Sequence, residues 1–349
     1  MELSSLIKEY NIPIVEVSDR NYWLVRTQSG EYYNEFYYDE FIAISWNELN
    51  TIEDFKTGDK AVITKKIQDH YPDSIKPGLI YNQIKRFISE IKIGDIVMIP
   101  SINSTVISFG IVESEVYIKD ISETSVEEGV CPFTKRRKVK WIKTVKRDEL
   151  DPFLYRMMQS HHTINNANDY ADIIDRTLHS FYLKNDAAHL VLQVKQKKDI
   201  PAIDLVNSIG DILESIPFIN DPENSERIFD KSVVDLKLRV QSPGIMEFIS
   251  TVAPWAVIGL GVLLHYTIGG TSSGKYSNEK SQTAFELNGS TDGLLEKILK
   301  FKKHQDKQKL LELKERHKKA AEKLDIKTPE ETEKLNLKTP EEENTPKSK

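Results

Sequence analysis

The chain has 349 residues, and 39% of them are hydrophobic, which is enough for two or three domains with their own cores. Its 48 basic and 54 acidic residues give a net charge of -6, so the overall charge does not indicate a nucleic-acid-binding protein. The single cysteine, Cys131, excludes a disulfide framework and a cysteine-rich zinc site.

The first predicted elements lie in an aromatic segment. Nine of the chain's 31 aromatic residues fall between Tyr22 and Trp46. Two runs rich in β-branched and aromatic residues predict a pair of strands at residues 22–26 and 41–46, with a turn near residues 29–30. The polar loop between the strands contains Tyr32, Tyr33, Tyr37 and Tyr38. Aromatic side chains on a small β-sheet can stack on the flat ring of a ligand.

A helix and a second pair of strands follow. Residues 81–91 are predicted to be helical, and strands are predicted at residues 95–100 and 107–112, with a hairpin loop at residues 103–104. One more strand is predicted at residues 139–145. Strands in this order, with one helix between two hairpins, favour a small, partly closed barrel over a parallel sheet.

This succession of motifs resembles the PUA-like (EVE-type) barrels at the N-termini of bacterial restriction and anti-phage proteins. The resemblance covers about residues 15–150. The motifs that carry it are Tyr22-Trp23-Leu24-Val25-Arg26, Ile42-Ala43-Ile44-Ser45-Trp46, Asn82-Gln83-Ile84-Lys85-Arg86-Phe87, Lys92-Ile93-Gly94-Asp95-Ile96-Val97, Phe109-Gly110-Ile111-Val112 and Val139-Lys140-Trp141. The resemblance implies a barrel that holds a modified or flipped-out base.

The resemblance also implies a set of pocket residues. It places Ser45, Trp46 and Asn47 at the mouth of the pocket. It places Arg86 and Phe87 on a helix that faces the same groove.

The aromatic residues have alternative roles. Trp23 alternates with Leu24 on a strand and fits a core position equally well. Trp46 has polar neighbours, so it fits either a position in the pocket or a position in the core. One of the four loop tyrosines is a further candidate for stacking on a base, and surface packing is the competing interpretation.

A block of cations follows the barrel motifs. Residues 135–147 contain eight Lys or Arg and no carboxylate, and a phosphate backbone is a natural counterpart. The predicted phosphate-contacting residues are Arg136, Arg137, Lys138 and Lys140. The competing interpretation is a solvated strand whose charges pair with the acidic residues at positions 123–128. We favour nucleic acid, and DNA over RNA, because base flipping needs both an aromatic pocket and cations.

Apolar residues at spacings of three and four predict helices over residues 148–182. These helices would form a connecting arm at residues 151–184. His161 and His162 do not indicate a metal site, because no carboxylate or histidine stands at ligand spacing on the same helical turn. The sequence therefore predicts no metal and no cofactor.

A small α/β module is predicted next, from a strand at residues 188–194, an amphipathic helix at residues 202–216 and a strand at residues 233–240. Residues 193–195, Gln-Val-Lys, imitate the end of a restriction-type nuclease site. Such a nuclease needs an acidic residue on a preceding core strand to hold Mg²⁺, and only Asp186 is near. A structural or interaction module is therefore favoured over a nuclease that uses Lys195.

Residues 249–268 lack Asp, Glu, Lys and Arg and are long enough to span a bilayer. Pro254, two glycines and His265 weaken this signal, and the basic region beyond the segment opposes the positive-inside tendency. We therefore favour a buried or membrane-associated hairpin over a membrane span. The N-terminal residues lack the pattern of a signal peptide, so the predicted location is the cytoplasm, with inner-membrane association as the alternative.

The C-terminal part contains three weaker signals. Residues 269–275 match a phosphate-binding loop, but Tyr276 replaces the residue that would bind Mg²⁺, so a flexible connector is favoured. A helix over residues 293–324 has a short apolar stripe, for which self-association into a homo-oligomer is an option. The heptapeptide at residues 324–330 recurs with two substitutions at residues 335–341, and the Pro/Glu/Lys-rich end is predicted to be disordered.

The predicted fold is a multidomain α+β chain. Its parts are a PUA-like barrel (1–150), a helical arm (151–184), a small α/β module (185–248), an apolar segment (249–270), a connector with a basic helix (271–325) and a disordered tail (326–349). The predicted function is a non-enzymatic nucleic-acid-binding sensor of modified or flipped-out bases in bacterial defence. The alternatives are a metal-dependent restriction-type nuclease and a membrane-tethered effector or assembly protein.

Overall fold

The computed structural model describes residues 7, 14–17, 19–222, 224, 226–239, 244–268 and 304–327. The protein is a mixed α+β chain with two compact units. We call Asp19–Leu178 the central unit, and Met1–Ser18 together with His179–Lys349 the terminal unit.

A seven-stranded, curled half-barrel sheet forms the central unit. Strand β1 (Val15–Glu16) comes first in the chain and belongs to the terminal unit. The strands of the central unit are β2 (Tyr22–Val25), β3 (Phe41–Ile44), β4 (Ile96–Pro100), β5 (Val106–Val112), β6 (Tyr117–Ile118), β7 (Lys135–Lys146) and β8 (Ile164–Asn166). The strand order is β3–β7–β5–β4–β2–β8, and β6 also pairs with β7. The β2–β4 pair is parallel, and the other pairs are antiparallel.

Helices cover both faces of this sheet. They are α1 (Tyr33–Tyr38), α2 (Ile52–Thr57), α3 (Lys60–His70), α4 (Pro77–Lys85), α5 (Glu123–Glu127), α6 (Phe153–Met158) and α7 (Ala171–Leu178). A π-helical turn, Arg86–Glu90, continues α4.

Alternating side chains of the sheet build two cores. On β2, Trp23 and Val25 join the core beneath α1 to α4, whereas Tyr22 and Leu24 join the core beneath α6 and α7. Successive residues of a strand face opposite sides of the sheet, so one strand supplies both cores. Burial on both faces explains why these strands are continuous apolar runs.

The aromatic segment differs from the predicted hairpin. β2 and β3 lie close to the predicted positions, but β2 pairs with β4 and β8 while β3 pairs with β7. Helix α1 occupies the predicted loop. The hairpin prediction was wrong because strand propensity marks strands without identifying their partners. The second predicted hairpin, β4–β5, is present and turns at Ile102–Ser104.

The residues predicted as a connecting arm belong largely to the central unit. Strand β8 pairs with β2, and α6 and α7 supply Leu154, Met157 and Ile174 to the second core. The unit therefore ends at Leu178 rather than at residue 150, because these helices bury a face of the sheet that would otherwise be exposed.

The terminal unit contains a six-stranded sheet backed by helices. Its further strands are β9 (Phe181–Lys184), β10 (Ala187–Val194), β11 (Asp235–Arg239), β12 (Gly244–Ser250) and β13 (Ile326–Lys327), and its helices are α8 (Ala202–Leu213), α9 (Pro254–Ile268) and α10 (His304–Leu324). The strand order is β1–β9–β10–β12–β11, and β13 also pairs with β10. The strand–helix–strand prediction placed β10, α8 and β11 well, but β12 lies between the two strands.

The apolar segment forms the end of β12 and helix α9. Ten of the fifteen residues of α9 are buried, as suits a helix that is apolar on all sides and enclosed by protein. Its glycines admit close neighbours, since a Cβ at Gly259 would lie 2.4 Å from Ile219 Cγ2 and a Cβ at Gly261 2.8 Å from Phe181 Cζ. Within the described ranges, no helix combines the length and the apolar character that crossing a membrane requires.

The C-terminal helix also packs within its own unit. Leu313, Ala320 and Leu324 of α10 are buried, so the stripe predicted for self-association is used inside the chain. The predicted disordered tail begins with β13, and Ile326 is in the core. The rest of the tail, the second heptapeptide and the phosphate-loop match at residues 269–275 lie outside the described residues.

Candidate nucleic-acid interface

The first group of predicted pocket residues lies in a turn after β3, which we call the Trp46 turn (residues 45–47). Ser45, Trp46 and Asn47 are all partly exposed. Trp46 has a φ of 67°, in the left-handed region that bulky residues rarely adopt. Such a conformation costs about 1–3 kcal/mol and persists only where surrounding contacts impose it.

Hydrogen bonds from residues 132–135 impose this conformation. Lys135 Nζ donates to the Trp46 carbonyl at 2.7 Å. Asn47 Nδ2 donates to the Pro132 carbonyl at 2.8 Å, and Asn47 Oδ1 accepts from the Thr134 backbone N–H at 3.2 Å. The turn is therefore held through the carbonyl of Trp46 and the side chain of Asn47, and the indole packs on the first core with part of its surface open.

Lys135 is an unusual anchor because its side chain is fully buried. Burial lowers the pKa of Lys135 to about 8. Its second hydrogen bond goes to Asn50 Oδ1 at 3.2 Å, so both of these partners are neutral oxygens. Desolvating an ammonium is costly, and the two acceptors offset part of this cost by satisfying two of its three donors.

Further aromatic rings lie beside the same segment. Tyr32 and Phe133 are partly buried and pack edge to face, with ring centroids 5.2 Å apart. Phe133 lies between the two residues that bond to Asn47, so this ring pair is joined to the Trp46 turn. Tyr71, directly after α3, packs on the same core as Trp46, and burial raises the pKa of its phenol.

The second group of predicted pocket residues lies on the π-helical turn. The Arg86 side chain is 34% exposed, donates to the Ile164 carbonyl at 3.3 Å and lies 3.8 Å from Glu90. Phe87 is fully buried in the first core. The prediction that Phe87 faces a groove was wrong because its ring points into the core, whereas Arg86 reaches the surface.

The cation block is divided between the interior and the surface. Lys135, Arg136 and Arg137 are at most 1% exposed, whereas Lys138 is exposed and Lys140 partly exposed. Arg136 donates to the carbonyls of Cys131 and Phe133, both at 2.9 Å. Its guanidinium lies 4.0 Å from the Phe41 ring centroid and 3.8 Å from Glu35.

Arg137 closes the end of the helix that carries Arg86. It donates to the carbonyls of Phe87 at 2.8 Å, Ile88 at 3.0 Å and Ser114 at 2.9 Å. The last carbonyls of a helix have no partners within the helix and attract a cation. The prediction that Arg136 and Arg137 contact phosphate was therefore wrong, because both guanidinium groups are used inside the fold.

Two other tryptophans of the central unit are structural. Trp23 is buried, as the core interpretation required, and donates to Asp95 Oδ2 at 2.8 Å. Trp141 stacks on Tyr37 with ring centroids 6.0 Å apart and donates to the Phe36 carbonyl. Gly110 makes room for Trp141, since a Cβ there would lie 2.7 Å from the indole. No local sequence pattern marks this stack.

The nuclease interpretation gains no metal site. Glu247 pairs in register with Val191, whereas Lys195 lies one residue beyond the end of β10 and four residues after Val191, which is about 13 Å of extended chain. Its carboxylate accepts a hydrogen bond from Tyr182 at 3.2 Å and lies 2.9 Å from His189 Nδ1. In the part of the chain that the structure describes, no three His, Cys, Asp or Glu residues are grouped to hold a metal.

Part of the chain matches a known family model. A family model described as a domain of unknown function (DUF8426) matches residues 21–168. This range covers most of the central unit and contains the Trp46 turn, Arg86 and the cation block. No curated protein matches the chain.

Proposed function

We propose that the central unit binds nucleic acid and stacks a modified or flipped-out base on Trp46. The protein would act as a non-enzymatic sensor in bacterial defence, with DNA favoured over RNA. The observation that carries this proposal is the Trp46 turn, in which a large, partly open ring is held in a costly backbone conformation by a buried lysine. Strain of this kind is concentrated at functional sites.

A rigid aromatic ring is what base stacking requires. One base on one aromatic side chain contributes about 1–3 kcal/mol, and a ring that is already fixed loses little conformational entropy on binding. The resemblance of residues 15–150 to PUA-like (EVE-type) barrels supports the same proposal. That the curled half-barrel is a PUA-like barrel is part of the proposal.

The surface cations supply the contacts to phosphate in this proposal. In this proposal Lys138 and Lys140 contact phosphate, and the buried Arg136 and Arg137 do not. Arg86 adds a partly exposed guanidinium. Phosphate contacts of this kind strengthen binding to every sequence and weaken with added salt. Discrimination between bases would then come from the Trp46 turn.

The test is the binding of the full chain to duplexes with and without modified cytosines, measured by fluorescence anisotropy. We expect Trp46→Ala to weaken binding by about 1–3 kcal/mol, or roughly 5- to 150-fold, because one stack is lost. Trp46→Phe should lose less, since a smaller ring remains.

Phe153→Ala is the matched control because Phe153 is an aromatic residue of the same unit, outside the predicted pocket, that is 61% exposed. We expect it to bind as the wild type does. Circular dichroism would establish that each variant is folded. Unchanged affinity in folded Trp46→Ala would remove Trp46 from the site.

A further inference from the structure

Helices α3 and α4 form a hairpin with an exposed apolar tip. The connection between them runs through residues 71–76, and Ile75 is 93% exposed. Leu79, in the first turn of α4, is 41% exposed. An isoleucine left almost wholly in water is a candidate for contact with a partner rather than for packing within the chain.

The tip is a hydrogen-bonded turn that starts at Tyr71, which packs on the same core as Trp46. Tyr71 ends α3 by donating its N–H to the Ile67 carbonyl at 2.9 Å, and the Ser74 N–H bonds to the Tyr71 carbonyl at 3.0 Å. Tyr71 packs on the same core as Trp46, and Glu48, two residues after Trp46, lies close enough to the Tyr71 phenol to affect its pKa. Ile75 therefore projects from a turn that starts at a neighbour of the Trp46 turn.

The hairpin carries positive charge. Residues 60–85 contain five lysines against two aspartates, Asp69 and Asp73, which gives a net charge of +3. The ammonium groups of Lys60 and Lys85 lie 5.4 and 5.9 Å from the centroid of the Tyr81 ring. Among the described residues neither lysine forms an ion pair, whereas Lys66 pairs with Asp54 at 2.8 Å. Such cations complement a phosphate backbone.

We propose that this hairpin inserts Ile75 into a nucleic-acid duplex while its lysines contact the flanking phosphates. An apolar side chain that enters between base pairs occupies the space of an extruded base and offsets the cost of unstacking. The extruded base would be received at the Trp46 turn. The inference rests on the proposed function and narrows its ligand to a double-stranded nucleic acid.

A lipid surface would also accept an apolar tip flanked by lysines. The duplex is favoured because Tyr71, where the tip starts, packs on the same core as the partly exposed ring of Trp46 and lies close to Glu48. A wedge and a receiving ring on adjacent segments are the two parts that base extrusion requires. Insertion into lipid would give the strained Trp46 turn no role.

The experiment compares Ile75→Ser with Ile102→Ser in the full chain. Both residues are exposed, Ile102 by 60%, and Ile102 lies on the β4–β5 turn outside the hairpin. The probes are a duplex with a central 2-aminopurine, whose fluorescence rises when it leaves the stack, and the same strand without its complement. We expect Ile75→Ser to bind the duplex about tenfold more weakly and to abolish the fluorescence rise, because the wedge is lost.

Single-strand affinity should be unchanged in Ile75→Ser, since an unpaired base needs no extrusion, and Ile102→Ser should match the wild type on both probes. If Ile75→Ser still extrudes the base as the wild type does, the wedge is wrong while the proposed function stands. If the wild type binds neither probe, the proposed function fails. A third probe is a vesicle with about one-third anionic lipid. If the wild type binds this vesicle but not the duplex, and Ile75→Ser does not bind the vesicle, the tip contacts a membrane and the duplex proposal is wrong.

Discussion

His317 shows how burial fixes the protonation of a single residue. Its side chain is fully buried in the terminal unit, with Nε2 at 2.9 Å from Ser215 Oγ and Nδ1 at 2.8 Å from Thr267 Oγ1. Each hydroxyl can donate or accept, so a neutral imidazole is satisfied in either tautomer. Desolvation lowers the pKa of His317 to about 4, because the charged ring would lose its hydration.

We expect the terminal unit to lose stability as the pH falls from about 6.5 to about 4. In the unfolded chain His317 takes up a proton near its ordinary pKa of 6.5, whereas in the folded chain it stays neutral to about pH 4. The unfolded state binds more protons in this window, so the free energy of unfolding falls as the pH falls, by roughly 3 kcal/mol from this residue.

Urea unfolding of the wild type and of His317→Gln across this pH range would measure the effect. Glutamine retains a donor and an acceptor but does not titrate, so the variant should lack this part of the pH dependence. An equally steep loss of stability in His317→Gln would assign the effect to another group.

The sequence locates candidate residues better than it assigns their roles. The polar neighbours of Trp46 indicated a partly exposed ring, but its left-handed backbone depends on Lys135, 89 positions away along the chain. No local pattern reports such a contact. Arg137 does carry a usable signal, because period-two alternation places it in phase with the apolar Val139 and Trp141 and so on the inner face.

At the scale of elements, β7 organises the central unit. The buried side chains of its first three residues donate hydrogen bonds to backbone carbonyls of three separate segments. Lys135 bonds to the Trp46 turn, Arg136 to the loop before β7 and Arg137 to the π-helical turn. The half-barrel is thereby tied to the segments that carry Trp46 and Arg86. The cation block suggested a surface that binds phosphate, but its first three residues, 135–137, are buried and hold other segments of the unit through hydrogen bonds.

We expect Arg137→Met to destabilise the central unit by about 3 kcal/mol. Methionine fills similar space, but the carbonyls of Phe87, Ile88 and Ser114 lose their donor while most of their surroundings stay buried. Thermal and urea unfolding would measure the change.

Lys138→Met is the matched control because Lys138 is the next residue of β7 and is exposed. Its effect on stability should stay within about 0.5 kcal/mol. Equal effects of the two substitutions would mean that the Arg137 hydrogen bonds do not hold the helix end.

Element positions were more predictable than element partners. Runs of β-branched and aromatic residues located β2 to β5, because such residues suit a buried, pleated surface. The pairing of β2 with β4 and β8 joins segments more than 70 residues apart, and it depends on the whole core rather than on any local pattern. The π-helical turn after α4 had no sequence signature.

At the scale of the molecule, the predicted domain boundaries missed how the terminal unit is assembled. Its sheet takes β1 from one end of the chain and β13 from the other. Composition along the chain suggested three separate parts, which were the α/β module, the apolar segment and the basic helix. In the structure one core contains a residue from each of them, namely Leu190, Leu260 and Leu324. Local composition reveals apolar segments but not which of them share a core.

We expect the full chain to be released from bacterial membranes by alkaline carbonate. The apolar surface of α9 is already covered within the terminal unit, where ten of its residues are buried. A helix that spans a bilayer needs about 20 apolar residues facing lipid or other membrane helices, whereas ten of the 15 described residues of α9 are covered by protein. Fractionation followed by a carbonate wash and immunoblotting would measure the released share.

Gly259→Leu distinguishes a core helix from a lipid-facing one. A Cβ at this position would lie 2.4 Å from Ile219 Cγ2, so a larger side chain must displace that residue from the core. Overpacking of this kind typically costs about 1–3 kcal/mol, and we expect a lower midpoint of urea unfolding. Val262→Leu on the same helix is the control, because Val262 is only partly buried and should tolerate one added methylene. A protein that resists carbonate, together with an undisturbed Gly259→Leu variant, would favour the membrane-tethered effector, since a leucine facing lipid displaces nothing.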